Sequence, residues 1–297
     1  MTEALDRRVY AVDEARRVAE GGLQGQLAGS WTWVTPQSRV ASSGRVSIRA
    51  RPEEGSVQVT EVLFGEAVEV LEERDHGWGW VRTVHDRYLG FAPLNALSQP
   101  TPGRTLQVSA LRGHLFAAPQ ITASILDQLS HGASLTPLDP HPVEEKGRSW
   151  WRISYQGKEA YVQTALVDPV EGGTFKNLTF IQRFLDTPYV WGGRSAWGID
   201  CSGLAQLFHA GQVPRDADQQ EASLARVESP QPGDLAFFPG HVGIMLNDRD
   251  LLHANATYMR VTVETLGQGE YGQRLAEELR GYGRLSLRPA PADQMPA

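Results

Sequence analysis

The chain has 297 residues, of which 41% are hydrophobic and 21% charged, and its formal net charge is −7. That length allows two or three domains with cores of their own. The acidic balance argues against nucleic acid or an anionic membrane surface as the principal partner.

Residues 1–40 are expected to form an N-terminal extension, with a short charged helical pattern over 9–19. The first twenty residues carry Asp6, Arg7, Arg8, Asp13, Glu14, Arg16 and Arg17 with no apolar core of a signal peptide among them. No later stretch reaches transmembrane length. If Met1 is the native start, a cytoplasmic location is expected, and a reducing compartment suits a free thiol.

Between about 41 and 100 the pattern is one of short strands. Alternation at 46–50 and 57–60 is followed by 67–71, 79–82 and 88–91, rich in β-branched and aromatic residues. Such spacing predicts a small β-barrel. The pattern recurs over 101–170. Gly65-Glu66-Ala67-Val68 is echoed by Gly132-Ala133-Ser134-Leu135, Trp78-Gly79-Trp80-Val81-Arg82 by Trp150-Trp151-Arg152-Ile153, and Tyr88-Leu89-Gly90-Phe91 by Glu159-Ala160-Tyr161-Val162. A tandem pair of barrels is the reading this repeat supports.

Asp168-Pro169-Val170-Glu171-Gly172-Gly173 reads as a linker. Beyond it Phe175, Leu178, Ile181, Phe184 and Leu185 fall at helical spacing, with Thr174 as N-cap and Pro188 closing the segment. A second helix is expected from Cys201, apolar at Leu204, Ala205, Leu207 and Phe208 and stopped by Gly211. Strands are expected at 235–238, 242–246, 251–255 and 261–265. Helices followed by an antiparallel sheet make an α+β domain over 174–288, and the Pro/Ala-rich 289–297 is expected to be a flexible tail.

Cys201 is the only cysteine in the chain. A lone thiol cannot form an internal disulfide or supply a four-thiolate zinc site, so it is either packing or chemistry at sulfur. No metal or cofactor is expected. Asp200 stands at the N-cap position, so Cys201 falls in the first helical turn, where unpaired N–H groups and the helix dipole favour a thiolate. His241, after Pro239-Gly240, begins a strand and is placed to act as general base; His253, on the next strand, could orient it. An even-numbered turn over 247–250 would send the two histidines to opposite faces. A bulge or an odd-length loop is therefore required if both serve one site.

Taken together, Thr187-Pro188-Tyr189-Val190-Trp191-Gly192-Gly193, Asp200-Cys201-Ser202-Gly203, Pro232-Gly233-Asp234-Leu235, Gly240-His241-Val242-Gly243-Ile244 and Leu252-His253-Ala254 resemble the NlpC-type cell-wall cysteine peptidases. One subgroup carries two bacterial SH3-like domains before the peptidase. The fold implied is two small SH3-like β-barrels followed by an α+β papain-like cysteine peptidase domain. The activity implied is that of γ-D-glutamyl-L-diamino acid endopeptidases, of the dipeptidyl-peptidase VI type. These cut peptidoglycan stem peptides between D-Glu and the diamino acid, on fragments with a free N-terminal L-Ala.

By this resemblance Cys201 is the nucleophile, His241 the base and His253 its orienting partner. Tyr189 and the Cys201 backbone N–H face the oxyanion. Asp216, in Pro214-Arg215-Asp216, reads the free amine; the polar residue that often follows it is Ala217 here. Trp191 and Ser202 line the pocket, and Glu66 (with Glu61 as the alternative) and Tyr88 complete it from the first barrel. A buried ammonium requires such a carboxylate, since an unpaired charge in a closed pocket is costly.

The expected partners are murein tripeptide or tetrapeptide fragments, with the protein a monomer that touches neither nucleic acid nor membrane. Two other readings stand beside this one: a non-catalytic protein binding peptidoglycan fragments, and an acyltransferase using the same thiol and imidazole.

Overall fold

A computed structural model of the protein describes residues 5–103, 105–169 and 177–285. These residues fall into two compact units. One is drawn from 1–174 together with 187–200, and the other from 175–186 together with 201–297.

The first unit is almost entirely β. Its N-terminal part holds Val12–Asp13, Val18–Glu20 and Thr32–Val34 in a small three-stranded sheet. The helix expected over 9–19 is absent. Arg17 takes a positive φ of 54° and turns the chain between two of these strands, so the charge spacing there follows a turn and not a helical face. A seven-stranded antiparallel sheet comes next, in the order Leu97–Ser98, Gln37–Ala41, Ala67–Arg74, Trp78–Thr83, Leu89–Pro93, Arg45–Arg49, Gln58–Leu63. Val46, Ile48, Val62, Val68, Val70 and Val81 fill its interior, as the alternation requires. The strand Gln37–Ala41 belongs to this sheet, so the boundary expected at residue 40 falls inside a strand.

Residues 106–169 repeat the pairing scheme. Arg112–Phe116 pairs with Ile125–Ser130 and with Lys158–Gln163, and Lys158–Gln163 pairs with Arg148–Tyr155. The same relations join Arg45–Arg49, Gln58–Leu63, Leu89–Pro93 and Trp78–Thr83 upstream. The core here gathers Leu106, Leu115, Leu129, Leu135, Ile153 and Val162.

The segment 187–200 groups with this β-rich unit although its sequence motif runs on without a break into Cys201-Ser202-Gly203. Its hydrogen bonds explain the grouping: Arg194 donates to Glu61 and Glu66, Ala196 N–H donates to Ser130 Oγ, and Arg112 Nε donates to Ala196 O.

The second unit is α+β. Helix α1 spans Leu178–Ile181 and is capped by Asn177, whose Oδ1 accepts from Phe180 N–H at 3.1 Å. Thr174 and Phe175, expected at this helix start, lie outside the described residues. Helix α2 spans Cys201–Phe208 and ends through left-handed Ala210 and Gly211, with Gly211 N–H returning to Gln206 O at 2.9 Å. Helix α3 is Ala217–Ser223. The strands are β1 Ala225–Val227, β2 Leu235–Phe238, β3 His241–Met245, β4 Asp250–Asn255, β5 Arg260–Thr265 and, after helix α4 (Gly269–Glu278), β6 Gly281–Arg284. They form one antiparallel sheet in the order β1-β6-β2-β3-β4-β5. Strands β2, β3 and β4 form its centre and are nearly all buried, and α2 packs directly on β3 and β4. Among the described residues no helix is long and apolar enough to cross a membrane.

Candidate active site

Cys201 is the first residue of α2 and is 8% exposed. The turn that follows α2 is fastened to the start of this helix by buried polar groups. Arg215, 1% exposed, donates from Nη1 to Ser202 Oγ at 2.8 Å. Gln220 is fully buried, and its Nε2 donates to Ser202 O at 3.0 Å and to Pro214 O at 2.8 Å. The Arg215 bond, made by a buried charge, is worth roughly 1.5–3 kcal/mol and the two neutral Gln220 bonds roughly 0.5–1.5 kcal/mol each, which makes this a stiff joint. It carries Asp216, the N-cap of α3, which shares a capping box with Gln219. Asp216 is thereby held on the segment bolted to the first turn of the Cys201 helix.

The histidines sit on the sheet against which that helix packs. His241 opens β3, half-buried, and His253 lies in β4, fully buried. His241 Nε2 and His253 Nδ1 are 2.8 Å apart, with ring centroids at 5.0 Å. The side-chain face is settled by the turn. Met245 pairs with Leu251 and Leu246 N–H donates to Asp250 O at 2.8 Å, enclosing the three residues 247–249. This odd count puts positions 241, 243, 251 and 253 on one face. Asn247 builds the turn, its Oδ1 accepting from Arg249 N–H at 2.8 Å and Asp250 N–H at 2.7 Å.

Burial drives the His253 pKa well below its ordinary value, and the neighbouring His241 lowers it further. His253 is therefore a neutral imidazole at physiological pH. Nε2 of His241 is engaged by His253, so a proton exchanged with a thiol would pass through Nδ1.

Close approach of the two strands requires Gly243. A Cβ there would lie 2.6 Å from Leu251 Cδ1 and 3.0 Å from His253 Cβ. Gly243→Ala is expected to push His253 off His241. Overpacking costs about 1–3 kcal/mol, and a displacement near 1 Å costs on the order of 100-fold in rate. Thermal melts together with kcat/KM on a cleaved peptide check both; unchanged turnover would mean His253 has no part in orienting His241.

The first unit holds the remaining expected residues. Tyr189 is half-buried and bridges Ile199, while Trp191 is 64% exposed and its carbonyl accepts from Gln58 Nε2 at 3.1 Å. Tyr88 is buried, its N–H bonded to Thr83 Oγ1 at 2.8 Å. Glu66 is engaged with Arg194 at 2.9 and 3.2 Å and with Leu63 N–H at 2.8 Å. Glu61 accepts from Arg194 N–H at 3.1 Å. Asp200 Oδ2 accepts from Gly192 N–H at 2.9 Å. Motif reading includes Arg215 and Gly243 without giving them a role, and it passes over Gln220 and Asn247. Only Asn247, in the Asn-Asp-Arg-Asp run between two apolar stretches, carries a turn signal.

Comparison with known proteins agrees with this geometry. The NlpC/P60 family profile matches residues 186–280, which include Cys201, His241 and His253. The chain belongs to the NlpC/P60 family. It is a cysteine peptidase of that family, and the bacterial dipeptidyl-peptidase Sh3 domain profile matches residues 48–97 upstream. The NlpC/P60 peptidase is 28% identical over 263 residues to dipeptidyl-peptidase 6 of Lysinibacillus sphaericus, covering 80% of this chain and 96% of the relative. It is likewise 28% identical over 256 residues to the γ-D-glutamyl-L-lysine dipeptidyl-peptidase of Bacillus subtilis, covering 75% and 81%. An NlpC/P60 family protein from Bacillus cereus has a crystal structure that matches with TM-score 0.67 at 18% identity, over 84% of this chain and 99% of that one; this is likeness of fold. The chain is thus a peptidoglycan peptidase with a β-rich SH3-like N-terminal region and a C-terminal α+β NlpC/P60 domain.

Proposed function

We propose that this NlpC/P60 peptidase hydrolyses the bond between D-Glu and the diamino acid in peptidoglycan stem peptides that keep a free N-terminal L-Ala. The observation that carries the reading is the His241–His253 hydrogen bond on the sheet that receives the Cys201 helix. In this reading His241 takes the thiol proton, Cys201 attacks the γ-glutamyl carbonyl, and His241 returns the proton to the leaving amine. The Cys201 N–H and the Tyr189 hydroxyl stabilise the oxyanion. Asp216 binds the substrate ammonium, with Ser202, Trp191, Tyr88 and Glu66 (or Glu61) as further substrate contacts.

Support for the substrate class comes from two relatives that match 80% and 75% of this chain, whose names specify dipeptidyl-peptidase action, one of them on a γ-D-glutamyl-L-lysine bond. The joint of Arg215 and Gln220 supports the role of Asp216, since it ties that carboxylate to the helix of the nucleophile. We read residues 101–170 as a second SH3-like barrel, supported by the repeated strand pairing. An amine-reading pocket would favour soluble wall-turnover fragments, because glycan-linked stems have no free L-Ala amine, and we propose the cytoplasm as the place of action.

The test is incubation with L-Ala-γ-D-Glu-diaminopimelate, its L-lysine counterpart and the N-acetylated form of each. Release of L-Ala-γ-D-Glu from the free peptides only is the expected result. Equal cleavage of the acetylated peptides would defeat amine recognition, and cleavage of none would defeat the substrate assignment.

A further inference from the structure

Asn255 lies two residues beyond His253 on the same face of β4 and is 1% exposed. Its amide has one permitted orientation. Oδ1 accepts from Tyr258 N–H at 2.8 Å, and Nδ2 lies 2.8 Å from Thr262 Oγ1. The Thr262 hydroxyl donates its one hydrogen to Glu264 Oε1 at 3.0 Å, so it meets Asn255 as an acceptor. Reversing the amide would set Nδ2 against the Tyr258 N–H, donor against donor. The second hydrogen of Nδ2 is then available to His253 Nε2, 3.3 Å away.

A ring nitrogen that faces a donor must present its lone pair. His253 therefore holds its proton on Nδ1 and donates it to His241 Nε2 across the 2.8 Å contact. Catalysis asks for the opposite arrangement. In the resting tautomer His241 carries its own proton on Nδ1, so that nitrogen takes the thiol proton only after both rings have exchanged tautomers with solvent; three protons then occupy four ring nitrogens. His241 as an imidazolium bears two of them, its Nε2–H donates to His253 Nδ1, and the proton of His253 must stand on Nε2, facing the Asn255 amide.

We propose that Asn255 is a positioning residue that sets the tautomer of the His241–His253 pair and, by opposing the imidazolium, fixes the alkaline limit of activity. The inference rests on the thiol–imidazole reading of the site. Several described residues face the pair. Tyr271 of α4 stacks on His253 at 5.7 Å, with Arg274 over the Tyr271 ring at 4.7 Å and Tyr258 on its edge at 5.5 Å. Glu264 of β5 acts through Thr262, Phe238 of β2 lies against His241 at 5.8 Å, and α2 brings Cys201. Burial keeps His253 neutral, so its proton changes place without adding a charge.

The experiment uses the full chain with ¹⁵N-labelled histidine. In the wild type the His253 ring should show an unprotonated Nε2 and a protonated Nδ1. Asn255→Asp places an acceptor at Nε2 and should reverse that assignment. It should also move the alkaline limb of kcat/KM, measured on L-Ala-γ-D-Glu-diaminopimelate, upward by about one pH unit. Asn255→Ala removes the donor and should shift the limb in the same direction by less. A residue that merely supports the fold would lower activity at every pH and leave the limb in place. A protonated Nε2 in the wild type overturns the proposal, as does a folded Asn255→Asp with an unmoved limb. The ring spectrum reads tautomers whether or not the peptide is cleaved, so it stands apart from the substrate assignment. Should Asn255→Asp not fold, the wild-type spectrum and Asn255→Ala still decide.

Discussion

Cys201→Ser is expected to give a folded protein whose kcat on the free-amine tripeptide falls by on the order of 10⁴-fold or more. The chain has no second cysteine to substitute for the thiol. A serine hydroxyl in the same place is a far weaker acid, so a neutral imidazole partner populates little alkoxide where a thiol populates thiolate. The exchange is close to isosteric, and the helix start it occupies is held by Arg215 and Gln220 through Ser202. Melting behaviour should therefore stay near that of the wild type. His241→Ala should cost a similar factor, and the double variant little more, because groups that act as one unit do not add. Alkylation by iodoacetamide supplies an independent reading: at neutral pH it should be fast in the wild type and much slower in His241→Ala. More than a few per cent of wild-type turnover in Cys201→Ser would remove sulfur from the chemistry.

How far this site can be read from the sequence depends on the kind of signal each residue leaves. The central strands are legible because continuous apolar runs such as Leu235–Phe238 have no place but a buried sheet. Cys201, His241 and His253 are legible as residue types in ordered motifs. Their convergence is not, because it depends on whether the turn at 247–249 holds an odd or an even number of residues, and this is decided by the hydrogen bonds of Asn247. Strands β1 and β6 escape notice: Gly-Tyr-Gly-Arg has no strand period, and both are only partly buried. Helix α4 is hidden by its two glycines and by an apolar stripe reduced to Tyr271 and Leu275. The buried polar joint of Arg215 and Gln220 is invisible to periodicity, which looks for apolar residues inside. In the N-terminal region the failure runs the other way. Charges at helical spacing suggest a helix over 9–19, but Ala11, Val18 and Ala19 are buried in strand pairing around a left-handed Arg17.

The same hidden polar chemistry makes Arg194 the expected weak point of the β-rich unit. Its side chain is 4% exposed and that of Glu66 16%. Burial alone would raise the Glu66 carboxyl, but the charges of Arg194 and His85 and the hydrogen bonds from Arg194 and Leu63 hold it below the ordinary carboxylate range. Glu61, its side chain 6% exposed, is pushed up by burial despite the Arg194 N–H and the charge of Arg45. Arg194→Met should destabilise the protein by about 3–5 kcal/mol, since it leaves a buried carboxylate uncompensated. The pH dependence should change sign with it. In the wild type, the Glu66 contribution is present above the ordinary carboxylate range and fades as pH falls through its lowered folded value. In the variant only the charge of His85 and the Leu63 N–H still oppose burial, so Glu66 titrates higher, its folded form is favoured by protonation and stability is lost as pH rises toward neutral. Denaturant unfolding at pH 5 and pH 7 reads this directly: Arg194→Met should regain part of its loss at pH 5. Adding Glu66→Gln should restore stability at pH 7, because the amide carries no charge to strand. A loss under about 1 kcal/mol in Arg194→Met, or a double variant no better than the single one, would mean that solvent and not Arg194 compensates Glu66.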